Sequence, residues 1–183
     1  MLRLGMPAVL ATLIGLASTA WAFDVSSPAV GGDGVIPQRN TADDYGCGGA
    51  NLSLPLEWSD VPQGAQSLAV TIMDRDAGGG DGFWHWLVVN LPPSTPGLME
   101  GAGRAGNSGL PPGATQLRNS AGTVAYFGPC PPPNDDPHHY VVTVYALKVA
   151  RLDLSPDAGG AAVEARFQAA LLAKARIVYT YGR

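Results

Sequence analysis

The stretch that most constrains the fold is residues 67–92, SLAVTIMDRDAGGGDGFWHWLVVNLP. Two apolar, β-branched runs, 67–73 and 83–90, flank a link rich in glycine and aspartate, the pattern of two strands joined by a polar connection. A chain whose strongest apolar runs have strand length and are separated by turn formers builds a sheet rather than a helical bundle. Asp74 and Asp76 fall where the first strand ends, and His85 lies just inside the second, between Trp84 and Trp86. Side-chain alternation in an extended chain sets the two aspartates on one side, with Cα atoms about 6.5 Å apart. The sequence thus predicts that they share one ligand, with His85 at the same edge of the β core.

The other elements follow the same logic. Residues 52–58 and 140–147 read as strands, the second by its alternation and β-branching. Residues 23–49 supply a short strand and long loops, and 93–122 read as one long loop, a place to look for a protein contact. The run Gly128-Pro129-Cys130-Pro131-Pro132-Pro133 is predicted to form a rigid wall, because proline fixes φ and has no amide to donate. His138 and His139 directly precede a strand. Near the end, Ser155 and Pro156 suggest a helix cap and first helical position, with a helix over 161–175. Val163, Phe167 and Leu171 recur four apart and give it one apolar stripe. A last short strand covers 177–181.

The N-terminus carries Arg3, an apolar stretch over 6–17 and Ala20-Trp21-Ala22, which together read as a secretory signal with cleavage after Ala22. The expectation is one exported domain, 23–183, periplasmic or secreted, with no membrane-spanning segment in the mature chain. Charged residues make up 14% of the chain and the net charge is −4, which argues against nucleic acid as a partner. Cys47 and Cys130 would meet an oxidising environment and can form a disulfide, the alternative being two buried thiols. No C-x-x-C spacing points to zinc or redox chemistry.

The stretches YGCGGANLSLPLEW, SLAVTIMDRDA…WHWLVVNLP and GPCPPPNDDPHHYVVTVYALK resemble the phosphatidylethanolamine-binding protein family, in its bacterial, Raf-kinase-inhibitor-like branch. The D-P-D-A-P pattern of that family is matched at Asp74, Asp76 and Ala77, W-H-W at Trp84 to Trp86, G-P-C-P-P at Gly128 to Pro132, and H-R-Y at His138-His139-Tyr140. The resemblance implies an antiparallel β-sandwich with a helix near the C-terminus. It also implies an anion pocket lined by Asp74, Asp76, His85, Gly128, Pro129, His138 and Tyr140. Arg75 and Gly78 stand where the family has proline, and His139 where it has arginine, so a looser pocket is expected. His139 further predicts anion affinity that rises as the medium acidifies.

Such a pocket suits a phosphate or phosphorylethanolamine-like ligand. In this reading the phosphate is held by His85, Tyr140 and amides near Gly128, and the ammonium by Asp74 or Asp76. The nearby carboxylate is expected to favour the protonated form of His85. The chain reads as a binding protein, not an enzyme, without a cofactor or resident metal. Two alternatives stand beside it: an inhibitor or interaction module for a protease or kinase, and a metal-dependent hydrolase using Asp74, Asp76, His85 and His138. A homodimer is the one assembly considered.

Overall fold

The computed structural model describes residues 22–80 and 82–183. The signal segment falls outside these, Ala22 excepted. Strands β1 (Asp24–Ser26), β2 (Leu56–Ser59) and β5 (Gly97–Leu98) form a small antiparallel sheet in the order β1-β2-β5. Strands β3 (Ser67–Asp74), β4 (Phe83–Leu91), β6 (Thr115–Gln116), β7 (His138–Leu147) and β8 (Leu171–Tyr181) form a larger one, ordered β6-β4-β3-β7-β8. Every pairing between strands is antiparallel. Among the described residues the one α-helix, α1 (Gly160–Ala170), precedes β8.

The strand alternation sorts the side chains into two cores. Leu68, Val70 and Ile72 of β3 and Tyr140, Val142 and Val144 of β7 face the small sheet and pack with Val25, Leu56, Trp58 and Leu98. The intervening side chains, Ala69 and Tyr145 among them, face α1 and meet Val163 and Phe167, both fully buried. The large sheet is therefore covered on both faces, which is why β3 reads as an almost unbroken apolar run instead of a strict alternation.

Three expectations change. The helix ends at Ala170, not at 175, because Leu171–Tyr181 pair along the whole of β7, with Leu171 opposite Leu147. Residues 172–175, Leu-Ala-Lys-Ala, are good helix formers, and cross-strand pairing overrides that preference. The N-cap is Gly159, and Ser155 instead makes a turn, accepting the amide of Asp157 on its hydroxyl at 3.2 Å and that of Ala158 on its carbonyl at 2.9 Å. Gly160 permits that start, since a Cβ there would run into the Trp84 ring. Finally, 93–122 is not a free loop: it carries β5 and β6 and so ties the two sheets together.

Candidate functional site

The site lies where β3 ends and β4 and β7 begin. In β4, Ile72 faces Trp86 while Met73 faces Trp84, so His85 is an extra residue without a partner on β3. This β-bulge sends Trp84 to the helix-side core and Trp86 to the inter-sheet core, and it turns His85 toward the end of the sandwich. There His85 packs edge-on to Tyr140 with centroids 5.2 Å apart, tilted against Phe83 at 4.8 Å, and stacked over Phe127 at 6.1 Å. A cavity of about 110 Å³ opens between Phe83, His85 and Phe127 on one side and Asp74, His138 and the Cys130-to-Pro132 wall on the other.

The protons of the cavity are largely committed. The ring Nδ1 of His85 donates to the Phe127 carbonyl at 2.6 Å, which leaves Nε2 as an acceptor in no hydrogen bond among the described residues. Burial drives the His85 pKa down to about 4; the Phe127 carbonyl and Asp74 oppose that and His138 adds to it. The ring is therefore neutral at pH 7, even though Asp74 favours the protonated form as expected. Desolvation outweighs one nearby charge. Asp74, 3% exposed, receives the His138 Nδ1 proton on Oδ2 at 2.7 Å and the amides of Asp76 and Ala77 on Oδ1 at 2.9 and 3.3 Å. The Tyr140 hydroxyl is buried with no hydrogen-bond partner among the described residues; burial, then the Asp74 charge, push its pKa upward.

Not every residue expected in the site lines it. The amides of Asp76 and Ala77 fold back onto Asp74, so the chain turns and the two aspartates diverge. Asp76 takes both the ring Nδ1 and the amide of His139, at 2.8 and 2.6 Å. Slight burial raises the Asp76 pKa; the His139 hydrogen bonds and charge, with Arg75, outweigh that and lower it. The shared ligand of Asp74 and Asp76 is thus replaced by two separate histidine partners. Gly128 and Pro129 serve packing: the Gly128 amide donates to Asn51 Oδ1 at 2.8 Å and the Pro129 carbonyl accepts from Ala42 at 3.1 Å. A Cβ on Gly128 would strike the backbone of residues 40–42. Cys130, Pro131 and Pro132 are the part of the wall that faces the cavity, and Cys130 is disulfide-bonded to Cys47 with Cα atoms 5.7 Å apart.

The family model described as phosphatidylethanolamine-binding protein matches residues 26–182. The chain belongs to the phosphatidylethanolamine-binding protein family. Within it, the UPF0098 protein YbcL of Escherichia coli K12 is 39% identical over 168 residues, covering 92% of each chain. The UPF0098 protein YbhB of the same organism is 42% identical over 128 residues, 70% of this chain and 80% of its own. The crystal structure of E. coli YbcL, described as a new member of the mammalian PEBP family, matches with a TM-score of 0.84 at 39% identity, over 88% of this chain and 98% of that one.

The departures from the phosphatidylethanolamine-binding pattern have local causes. Arg75 donates its amide to the His139 carbonyl at 3.2 Å, extending the pairing of β3 with β7 by one residue, which proline could not do. Gly78 has φ +70°, a conformation closed to proline. His139 is held on Asp76 and does not line the cavity, so the acid-dependent anion affinity expected of it loses its basis. Phe83, Phe127 and Asp135, whose carboxylate stands 3.9 Å from His138 Nε2, were missed by the sequence reading. Phe83 and Phe127 had a signal: one lies two residues before His85, the other immediately before the Gly-Pro wall.

Proposed function

We propose that this family member binds a small zwitterion, an amine linked to a phosphate as in phosphorylethanolamine, with the ammonium directed inward and the phosphate at the mouth. The observation that carries this reading is the neutral His85, whose only proton is given to a main-chain carbonyl. The inner surface consequently offers acceptors, Asp74 and His85 Nε2, in a lining shared with the rings of Phe83 and Phe127. An ammonium brings three donors and a charge that aromatic faces attract. A bare phosphate entering first would meet the Asp74 and Asp135 carboxylates and an imidazole with no proton to give.

The cavity volume of about 110 Å³ is below the 300 Å³ or so of a drug-sized pocket, so it suits the end of a head group rather than acyl chains. Binding without turnover is part of the proposal, since both His85 and Asp74 are already engaged with the protein's own groups. A periplasmic or secreted location fits the disulfide, which persists in oxidising surroundings.

Calorimetric titration with ethanolamine, phosphorylethanolamine and inorganic phosphate tests this. Both amines should bind, and both should weaken at least tenfold in Asp74→Asn and in Phe127→Ala. Any phosphate heat should be indifferent to either substitution. Undiminished zwitterion binding in two folded variants would remove the pocket from consideration.

A further inference from the structure

On the helix side of the large sheet, away from the cavity, a second groove of about 190 Å³ opens beside α1. Its positive charge comes from two elements: Arg75, just past the end of β3, and Arg176 of β8. The register sets them at two ends of the groove, since Arg75 lies opposite His139 of β7 and Arg176 opposite Thr143, four residues further along. Thr71 lies opposite Thr143, and Thr143 opposite Arg176, so the three form one cross-strand row. Because the Arg75 amide continues the β3–β7 ladder, alternation keeps Arg75 on the face of Thr71 and Met73, opposite to that of Asp74.

The groove holds unused capacity for an anion. Arg176 makes no ion pair among the described residues, and Arg75 only a long one, 3.9 Å to Asp76. Glu164 of α1 is the one carboxylate in the lining and accepts the Tyr145 hydroxyl at 3.3 Å, so two guanidinium groups stand against one carboxylate. Thr71 and Thr143, 2% and 3% exposed, bring hydroxyls to the floor. Met73, Trp84 and Val141 complete an apolar flank.

We propose that this groove is a second binding site, for a small organic oxyanion whose carboxylate or phosphate is held by Arg75 and Arg176 and whose short apolar substituent lies against Met73 and Trp84. Guanidinium groups present donors in a fork that matches two oxygens of such an anion, and a site with two of them and hydroxyls below is built for that geometry. The site is independent of the zwitterion pocket, and it carries opposite charge on the opposite face of the same sheet. Arg75 stands where the family pattern has proline, so this charge is a feature of this chain and not of the pattern.

Amide-detected NMR titration of the purified protein with acetate, benzoate, inorganic phosphate and phenyl phosphate tests the site. The expected result is saturable shifts at Arg75, Thr143 and Arg176, tighter for benzoate than acetate and for phenyl phosphate than phosphate. The affinity should fall at least tenfold in Arg176→Gln and in Arg75→Gln, and be unchanged in His85→Gln. Both arginine side chains are exposed, so these variants are expected to fold. Shifts confined to His85 and Phe127, shifts that do not saturate, or saturable binding indifferent to both arginine variants would each overturn the proposal. If Asp74→Asn abolishes zwitterion binding while Arg176→Gln leaves anion binding intact, the pocket stands and the groove falls; the reverse pattern separates them the other way.

Discussion

His85 is the residue on which the proposed binding turns, and its buried neutrality has a measurable cost. In the folded protein it stays unprotonated down to about pH 4, whereas its ordinary value is 6.5. Between these values the unfolded chain binds the extra proton, so stability rises with pH across the interval and is lost as pH falls from about 6.5 to about 4. The gap corresponds to about 3 kcal/mol. Urea unfolding of the protein and of His85→Gln at pH 7 and pH 4 should show a steeper loss in the parent, by roughly that amount. Parallel losses would mean the imidazole is protonated in the fold. Asp76 does not blur this window, because its pKa is lowered from 3.8 and its contribution is lost only at lower pH.

At the scale of elements, the strands carrying the site were legible and their details were not. Alternation and β-branching located 67–73, 83–90 and 140–147 to within two residues of β3, β4 and β7. Sequence alone carried no sign that His85 is a bulge, since a bulge depends on how one strand counts against another. Nor did it reveal that Asp76 turns away, because the Asp74 carboxylate captures the two amides that follow it. Gly128 illustrates a different limit: in the sequence it reads as part of a rigid wall or as a free amide for a ligand, while here it marks a close approach between backbones. Gly128→Ala should destabilise the fold by about 1–3 kcal/mol, the usual range for overpacking, visible in thermal unfolding. No loss there would mean that the 40–42 segment gives way freely.

Across the whole molecule, the mostly β class was legible because local patterns agreed, short strands with glycine and proline turns and one amphipathic segment, while the sandwich arrangement came from the family resemblance. The Cys47–Cys130 bond joins segments 83 residues apart and pins the proline wall to the loop after β1. On the chain-entropy model, closing such a loop is worth roughly 4–5 kcal/mol, so the Cys47→Ser, Cys130→Ser double variant should unfold at markedly lower urea. An unchanged midpoint would show that the wall is held by packing alone. One further consequence lies at the rim of the large sheet. The outer strand β8 is eleven residues long, a ready template on which another chain could add itself. Near its end, Thr180 is already bonded in both directions, donating to Gly34 and receiving the amide of Ile36, each at 2.9 Å. Near its start, Lys174 and Arg176 are exposed along the open stretch. A second copy aligned there would bring like charges together, so the strand that completes the sandwich also resists polymerisation through that edge.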